Sequence, residues 1–520
     1  MAITTAAASQ QVPNTEYSRL EERIIERDQV GASQVLYGLF KQGRPVTEIL
    51  RETIRIHAPY THVPYHQRLD DGMVKFVNND HCLLGERVSL PLRSMIAPDL
   101  AYLPLAQVIW YIPTGLDPWN QLLGKAPGHY TRLYEIKVNQ KPPRPERHWP
   151  DQEPQHLDGP IGERLNHWLT LVQRGDVLGS YRVFLGLMDD APNRRQVLAH
   201  LAFAGLIDVQ DRMFHNRSYT TGHKSFRARA TIELGEAIGW DRAHDVLYAG
   251  VPDMAVGPRW HSTYEMGCNV VQNLLDGRDR ELLAQDGPLT AAEEAMLVDV
   301  ILRQEEPSVI EALVALLRAG RAPRRILDAI QVAAAQVILD TGNPNNFSMA
   351  QHGYEYCNTV GWFYDTFDHP HRLKLLFVAA SFINHGSHHQ ADTPDNGRRA
   401  IVPPPGAASL SSRQLLEQLE QMLLALHADE AVGLTAAYLA SGFERAPLVQ
   451  TLATAACKIG NDPHNQELGL CLLEDYLHTQ AAGRDRLLLA SAKHTAGHKK
   501  YGDSLESYRR VAEALDLAGC

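Results

Sequence analysis

The stretch Leu316-Leu317-Arg318-Ala319-Gly320-Arg321-Ala322-Pro323-Arg324-Arg325-Ile326-Leu327-Asp328-Ala329-Ile330 decides how this chain is read. Apolar residues at helical spacing stop at Gly320, and Pro323 opens a second apolar run that reaches the small residues Ala333-Ala334-Ala335. Such spacing on both sides of a Gly/Pro turn predicts two helices joined tightly. The pattern recurs. Gly38-Leu39-Phe40-Lys41-Gln42-Gly43 leads to Ile49-Leu50, Ile54 and Ile56-His57-Ala58. Leu185-Gly186-Leu187-Met188 leads to Val197-Leu198, Leu201 and Ala204-Gly205, and Ala437-Tyr438-Leu439-Ala440-Ser441-Gly442 leads to Leu448-Val449, Leu452 and Ala455-Ala456. The four copies start near Leu36, Val183, Leu313 and Thr435. A period of about 120–150 residues exceeds the common solenoid units, so each copy must carry further helices.

Helical spacing dominates from Ile161 onward, and no run of alternating β-branched residues survives a count. The expected fold is therefore all-α: a helical-repeat assembly, either an α-superhelix or an α/α toroid. Residues 1–14 read as a disordered lead-in. Residues 15–160 read as an N-terminal helical repeat with a long aromatic and Pro-rich segment, and 161–520 as repeats sharing one core. Two stretches, 59–134 and 388–409, read as long irregular segments, of the kind that usually cover a site or a contact.

A net charge of −11 disfavours nonspecific binding to nucleic acid or to an anionic membrane. None of the six cysteines forms a C-x-x-C pair, which removes a redox dithiol and a thiolate zinc knuckle. No apolar run approaches 18 residues, and the first residues lack the charged and apolar regions of a signal peptide. A soluble, cytoplasmic, thiol-reduced protein is expected. Walker, Rossmann, zincin and serine-hydrolase signatures are absent from the sequence.

Histidine carries the chemical signal. The chain has 24 histidines, roughly twice ordinary usage, and several follow the repeats closely. His57 and His62 come after the first copy, His352 after the third and His464 after the fourth, while the second offers Asp211 and His215. Imidazole is the commonest metal ligand and also an acid or base near neutral pH. His352-Gly353-Tyr354-Glu355 sets an imidazole and a carboxylate three residues apart on one helical face, the pairing with which helical bundles hold iron or manganese. His223 opens a helix after a Gly turn, and His385 and His494 end related later helices. The metal-ligand candidates are His57, His62, His223, His352, His464 and His494, with Tyr354 or Glu355 as proton-handling catalytic groups and Trp110 and Trp119 as pocket wall.

On His223, His352-Gly-Tyr-Glu355, Asn461-Asp-Pro-His464 and His494-Thr495, the chain resembles the questin-oxidase-like helical proteins and helical proteins that accompany Rieske domains. That resemblance covers most of residues 30–515 and implies an oxidoreductase, an oxygenase; with the histidines as ligands the reading becomes an iron-dependent enzyme, heme or non-heme, acting on a small organic substrate. The chain has no Rieske cysteine–histidine pairs of its own, so electrons would come from a separate Rieske or ferredoxin-type protein or a soluble donor. The run from Leu316 to Ile330 is also similar to the helical hairpin of AhpD-like proteins, but it lacks their C-x-x-C pair. Two other readings stay open: a helical-repeat scaffold without catalysis, and a cofactor-free enzyme using histidine as general base.

Overall fold

The computed structural model describes residues 15–61, 81–116, 153–209, 222–255, 261–344, 347–393, 395–460, 463–498, 500 and 502–517. His62, Trp119, Asp211 and His215 lie outside the described residues. Among those described there is no strand, only one isolated bridge between Gly287 and Arg321, and the fold is all-α. None of the helices is long and apolar enough to cross a membrane.

Among the described residues, each copy of the repeat is a set of five helices. The first set is α1 (Thr15–Ile25), the hairpin α2 (Gln29–Lys41) and α3 (Val46–Thr61), then α4 (His81–Met95) and α5 (Leu103–Gly115). The second is α6 (Ile161–Arg174), the hairpin α7 (Val177–Met188) and α8 (Arg194–Ile207), then α9 (His223–Ile238) and α10 (His244–Gly250). Two helices, α11 (Ser262–Leu274) and α12 (Asp279–Leu283), precede the third set. That set is α13 (Ala291–Arg303), the hairpin α14 (Glu306–Arg318) and α15 (Pro323–Asp340), then α16 (Phe347–Thr366) and α17 (Arg372–Ala391). The fourth is α18 (Ser412–Leu424), the hairpin α19 (Ala428–Ala440) and α20 (Arg445–Lys458), then α21 (His464–His478) and α22 (Asp485–Gly497), after which α23 (Glu506–Leu515) follows.

Gly43, Gly320 and Gly442 turn three of the four hairpins with φ of +68°, +81° and +70°. A Cβ at any of these would meet nothing within 4 Å, so the left-handed backbone alone calls for glycine there. In the second copy a short 3-10 turn over Ala191–Asn193 replaces the glycine. This explains why that copy reads more loosely.

The fourth helix of each set forms the centre of the molecule. α4 packs on α9, α9 on α16, α16 on α21, and α21 closes back on α4. The sets thus run in chain order around a closed ring, the toroidal form of the repeat. α9, α16 and α21 are buried on almost every side, as expected for helices with no solvent face. α1, α6, α18 and α23 bury only one stripe and lie outside. Small residues on the hairpin helices let the central ones approach. A Cβ on Gly205 of α8 would come within 2.7 Å of the Lys224 carbonyl on α9. One on Gly469 of α21 would come within 3.0 Å of Ala456 on α20.

Two expectations need correction. The segment 59–134 holds the helices α4 and α5, with Pro91 and Pro113 inside them, so prolines that read as breakers are absorbed near the helix ends. The stretch from 388 is not loop at its start either. α17 continues to Ala391 and carries His388 and His389 in its last turn, where cations suit the helix dipole.

Candidate metal centre

Each repeat delivers one imidazole to the same pole of the ring. His81, His223 and His464 are the first residues of α4, α9 and α21, and His352 lies in the second turn of α16. The ring of His81 stands 4.4 Å from that of His464 and 5.7 Å from that of His223. His352 stands 4.7 Å from His223 and 6.1 Å from His464. The circuit is closed.

Six residues on, His81, His223 and His352 are followed by Arg87, Arg229 and Asn358. These meet in a second polar layer with Glu233 and Glu474. Arg87 pairs with Glu233 and Glu474, and Arg229 pairs with both of these and donates to Asn358 at 2.6 Å. Two layers contacting in the same order mean that the four central helices run parallel. Their N-terminal ends therefore gather at the imidazoles, where the helix dipoles oppose positive charge, imidazolium and metal cation alike, so a bound ion would rely on the Glu467 carboxylate for compensation.

The hydrogen bonds fix what each ring offers. His352 Nδ1 lies 2.5 Å from the Ser348 carbonyl oxygen, which only accepts, so Nδ1 carries the proton and Nε2 keeps its lone pair. That Nε2 faces His223 Nε2 at 3.2 Å. Burial, with His223 and His464 close by, holds His352 well below the usual imidazole range, so it is neutral at pH 7. Glu467, one turn beyond His464 on α21, sets its two oxygens 3.1 and 3.0 Å from His81 Nδ1.

One ligand atom from each of His81, His464 and Glu467 lies within 4.8 Å of the others, and this buried triad can hold a metal ion. Two histidines and a carboxylate form the donor set of non-heme iron sites. The His223–His352 spacing also fits adjacent ligands of one ion: nitrogens about 2.0–2.1 Å from a metal at a tetrahedral angle stand about 3.3 Å apart. The carbonyl on His352 Nδ1 is the kind of outer partner that orients metal-bound histidines. The residues fit a metal.

Further imidazoles extend the cluster. His498 lies 5.6 Å from His464, and His494 lies 5.0 Å from His498 with Phe347 edge-on to it. Tyr111 of α5 faces His81 edge-on at 6.4 Å.

Of the residues expected from sequence, His223, His352 and His464 stand in the circuit and His494 beside it. His57 does not. It is fully buried on α3 with Nε2 2.9 Å from Glu86, and the first repeat supplies His81 instead. In the second repeat the residue in the circuit is His223, and Asp211 and His215 lie outside the described residues. Tyr354 donates to Asp475 at 3.0 Å, and Glu355 lies buried beside Cys471. His385 approaches Glu306 at 3.6 Å on α14, so the two late-helix histidines do not share a station. Trp110 is buried in α5. The sequence did signal Glu467: His464-Asn465-Gln466-Glu467 repeats the spacing of His352-Gly-Tyr-Glu355.

The chain matches no protein-family model, no curated protein and no solved structure.

Proposed function

We propose that this protein is a non-heme-iron oxidoreductase, an oxygenase acting on a small organic substrate. The observation that carries the reading is the meeting of four imidazoles, one from each repeat, with the Glu467 carboxylate at one pole, where His81, His352 and Glu467 are buried and His223 and His464 half-buried. His81, His464 and Glu467 would hold the ion, with His223 and His352 as neighbouring donors. When bound, iron supplies open coordination positions for redox chemistry with oxygen.

The chain's own groups do the rest. The Ser348 carbonyl keeps His352 in the tautomer that can ligate. The Glu467 carboxylate orients His81, and burial keeps His352 unprotonated. Phe226 and Phe347 give the cluster apolar walls. Nitrogens 3.2 Å apart leave no space for a porphyrin plane between them, which favours non-heme iron over heme. The resemblance to questin-oxidase-like proteins, carried by three of the same histidines, points to the same chemistry. An external Rieske or ferredoxin-type protein is the proposed electron source.

Metal analysis with an absorption spectrum of the purified protein tests the proposal. About one iron per chain without a heme band is expected, and a protein that takes up no metal from iron-supplemented growth would sink it.

A further inference from the structure

Beside His81 is a cavity of about 10 Å³ open to a water's centre, lined by His81, Gln107, Val108, Tyr111, Gly460 and Gln466. That is room for one water molecule. Two of its walls are carboxamides, Gln107 on α5 and Gln466 on α21, and each is only 3% exposed. Gln107 Nε2 donates to the Cys457 carbonyl at 2.7 Å, and Gln466 Nε2 donates to the Pro104 carbonyl at 3.3 Å. A carbonyl oxygen only accepts, so turning either amide over would set two acceptors against each other. Both amides are fixed with Oε1 on the other side. Among the described residues no donor reaches either oxygen.

Buried acceptors of this kind are almost always satisfied. Both side chains line one water-sized space, and a species there with two hydrogens to give would serve both oxygens. We propose that this space is a binding site for one small hydrogen-bond donor, a water molecule in the resting protein, held by Gln107 Oε1 and Gln466 Oε1 against the His81 ring. Dioxygen carries no O–H bond and cannot satisfy either oxygen. The subsite therefore selects a proton-bearing molecule over oxygen, and it places exchangeable protons next to the buried His81–Glu467 pair. The proposal does not depend on iron: a metal-free protein with this water in place would sink the oxygenase reading and leave the subsite standing.

A crystal structure of the full chain at a resolution that shows ordered water tests it. The expected result is one peak within about 2.7–3.2 Å of both oxygens. No peak, a peak touching neither oxygen, or an amide turned with nitrogen toward the space would overturn it. In Gln107→Leu crystals the peak should disappear, and its persistence would also overturn the assignment. If that variant does not fold, the wild-type map alone decides.

Discussion

His352 and His223 meet Nε2 to Nε2 at 3.2 Å, although 129 residues separate them in the chain. The approach follows from two local facts. The Ser348 carbonyl, one turn earlier on α16, accepts a hydrogen bond from Nδ1–H of His352, and His223 opens α9 beside it. The Nε2 of His352 is left as an acceptor toward His223, and burial with neighbouring imidazoles makes a positive charge costly at His352. The pair is thus prepared to share an ion.

His352→Ala and His464→Ala should each lower iron affinity by more than the roughly 10–100-fold typical of losing an outer partner. His57→Ala should leave affinity unchanged, because His57 sits on Glu86 away from the circuit. Titration with ferrous ion under anaerobic conditions separates the three. Equal affinities across them would place the metal elsewhere.

The hairpins were legible because Gly43, Gly320 and Gly442 punctuate clear apolar spacing. Three of the four circuit histidines were legible too, since His223, His352 and His464 open or follow a helix soon after a repeat. His81 was not. Pro91, Pro113 and the aromatics around them hid α4 and α5, and the denser group at His57 and His62 drew the assignment. The ring closure that makes α21 a neighbour of α4 is a long-range contact, and no local spacing encodes it. Glu467 sits 386 residues from its partner His81 for that reason.

A second group of histidines should make the protein acid-sensitive. His369 stacks on Phe203 with His200 edge-on to it, and burial first, then neighbouring histidines, lowers His200 and His369 to about 4 and about 3. Their folded values lie below the unfolded value of about 6.5, so the unfolded chain binds more protons between them. Their contribution is complete above about pH 6.5 and is lost as pH falls toward 4 and then 3. Urea titrations across that window should show stability falling with pH. His369→Phe, which keeps the stack on Phe203, should flatten the slope, and an unchanged slope would remove His369 from the account.

Asp475 acts with the opposite sign. Burial and the nearby Glu474 raise its carboxyl to about 7, against the help of donors Asn358 at 2.9 Å and Tyr354 at 3.0 Å. A folded value above the unfolded one adds stability at low pH that is lost as pH rises through about 7. Asp475→Asn should therefore weaken the decline in melting temperature between about pH 4 and 7. A variant that declines as steeply as the parent would show that another group titrates there.

His57 and Glu86 are both fully buried, and burial raises the Glu86 carboxyl. Removing one member of such a pair strands the other. His57→Phe should cost about 3–5 kcal/mol, and the double change His57→Phe/Glu86→Leu should recover much of that loss. Denaturant unfolding of the three variants measures the coupling. A double variant no more stable than the worse single one would argue that shape, not charge, holds the site.

Gly205 links a repeat residue to the candidate metal centre. A methyl group there would meet the Lys224 carbonyl at 2.7 Å and the Ser225 Cα at 2.8 Å, both backbone atoms that cannot swing aside. Gly205→Ala must push α9 away from α8, and His223 is the residue before Lys224. The expected cost is about 1–3 kcal/mol of stability from overpacking. The same shift should move His223 off His352 and reduce iron affinity, although residue 205 itself offers no ligand atom. Gly38, on the outer hairpin helix α2 with nothing within 4 Å of its Cβ position, is the control. Gly38→Ala should be neutral or slightly stabilising, because alanine suits a helix interior better. If Gly205→Ala lost stability but bound iron as the parent does, the small residues would serve packing alone, and the repeat would not be what seats the imidazoles.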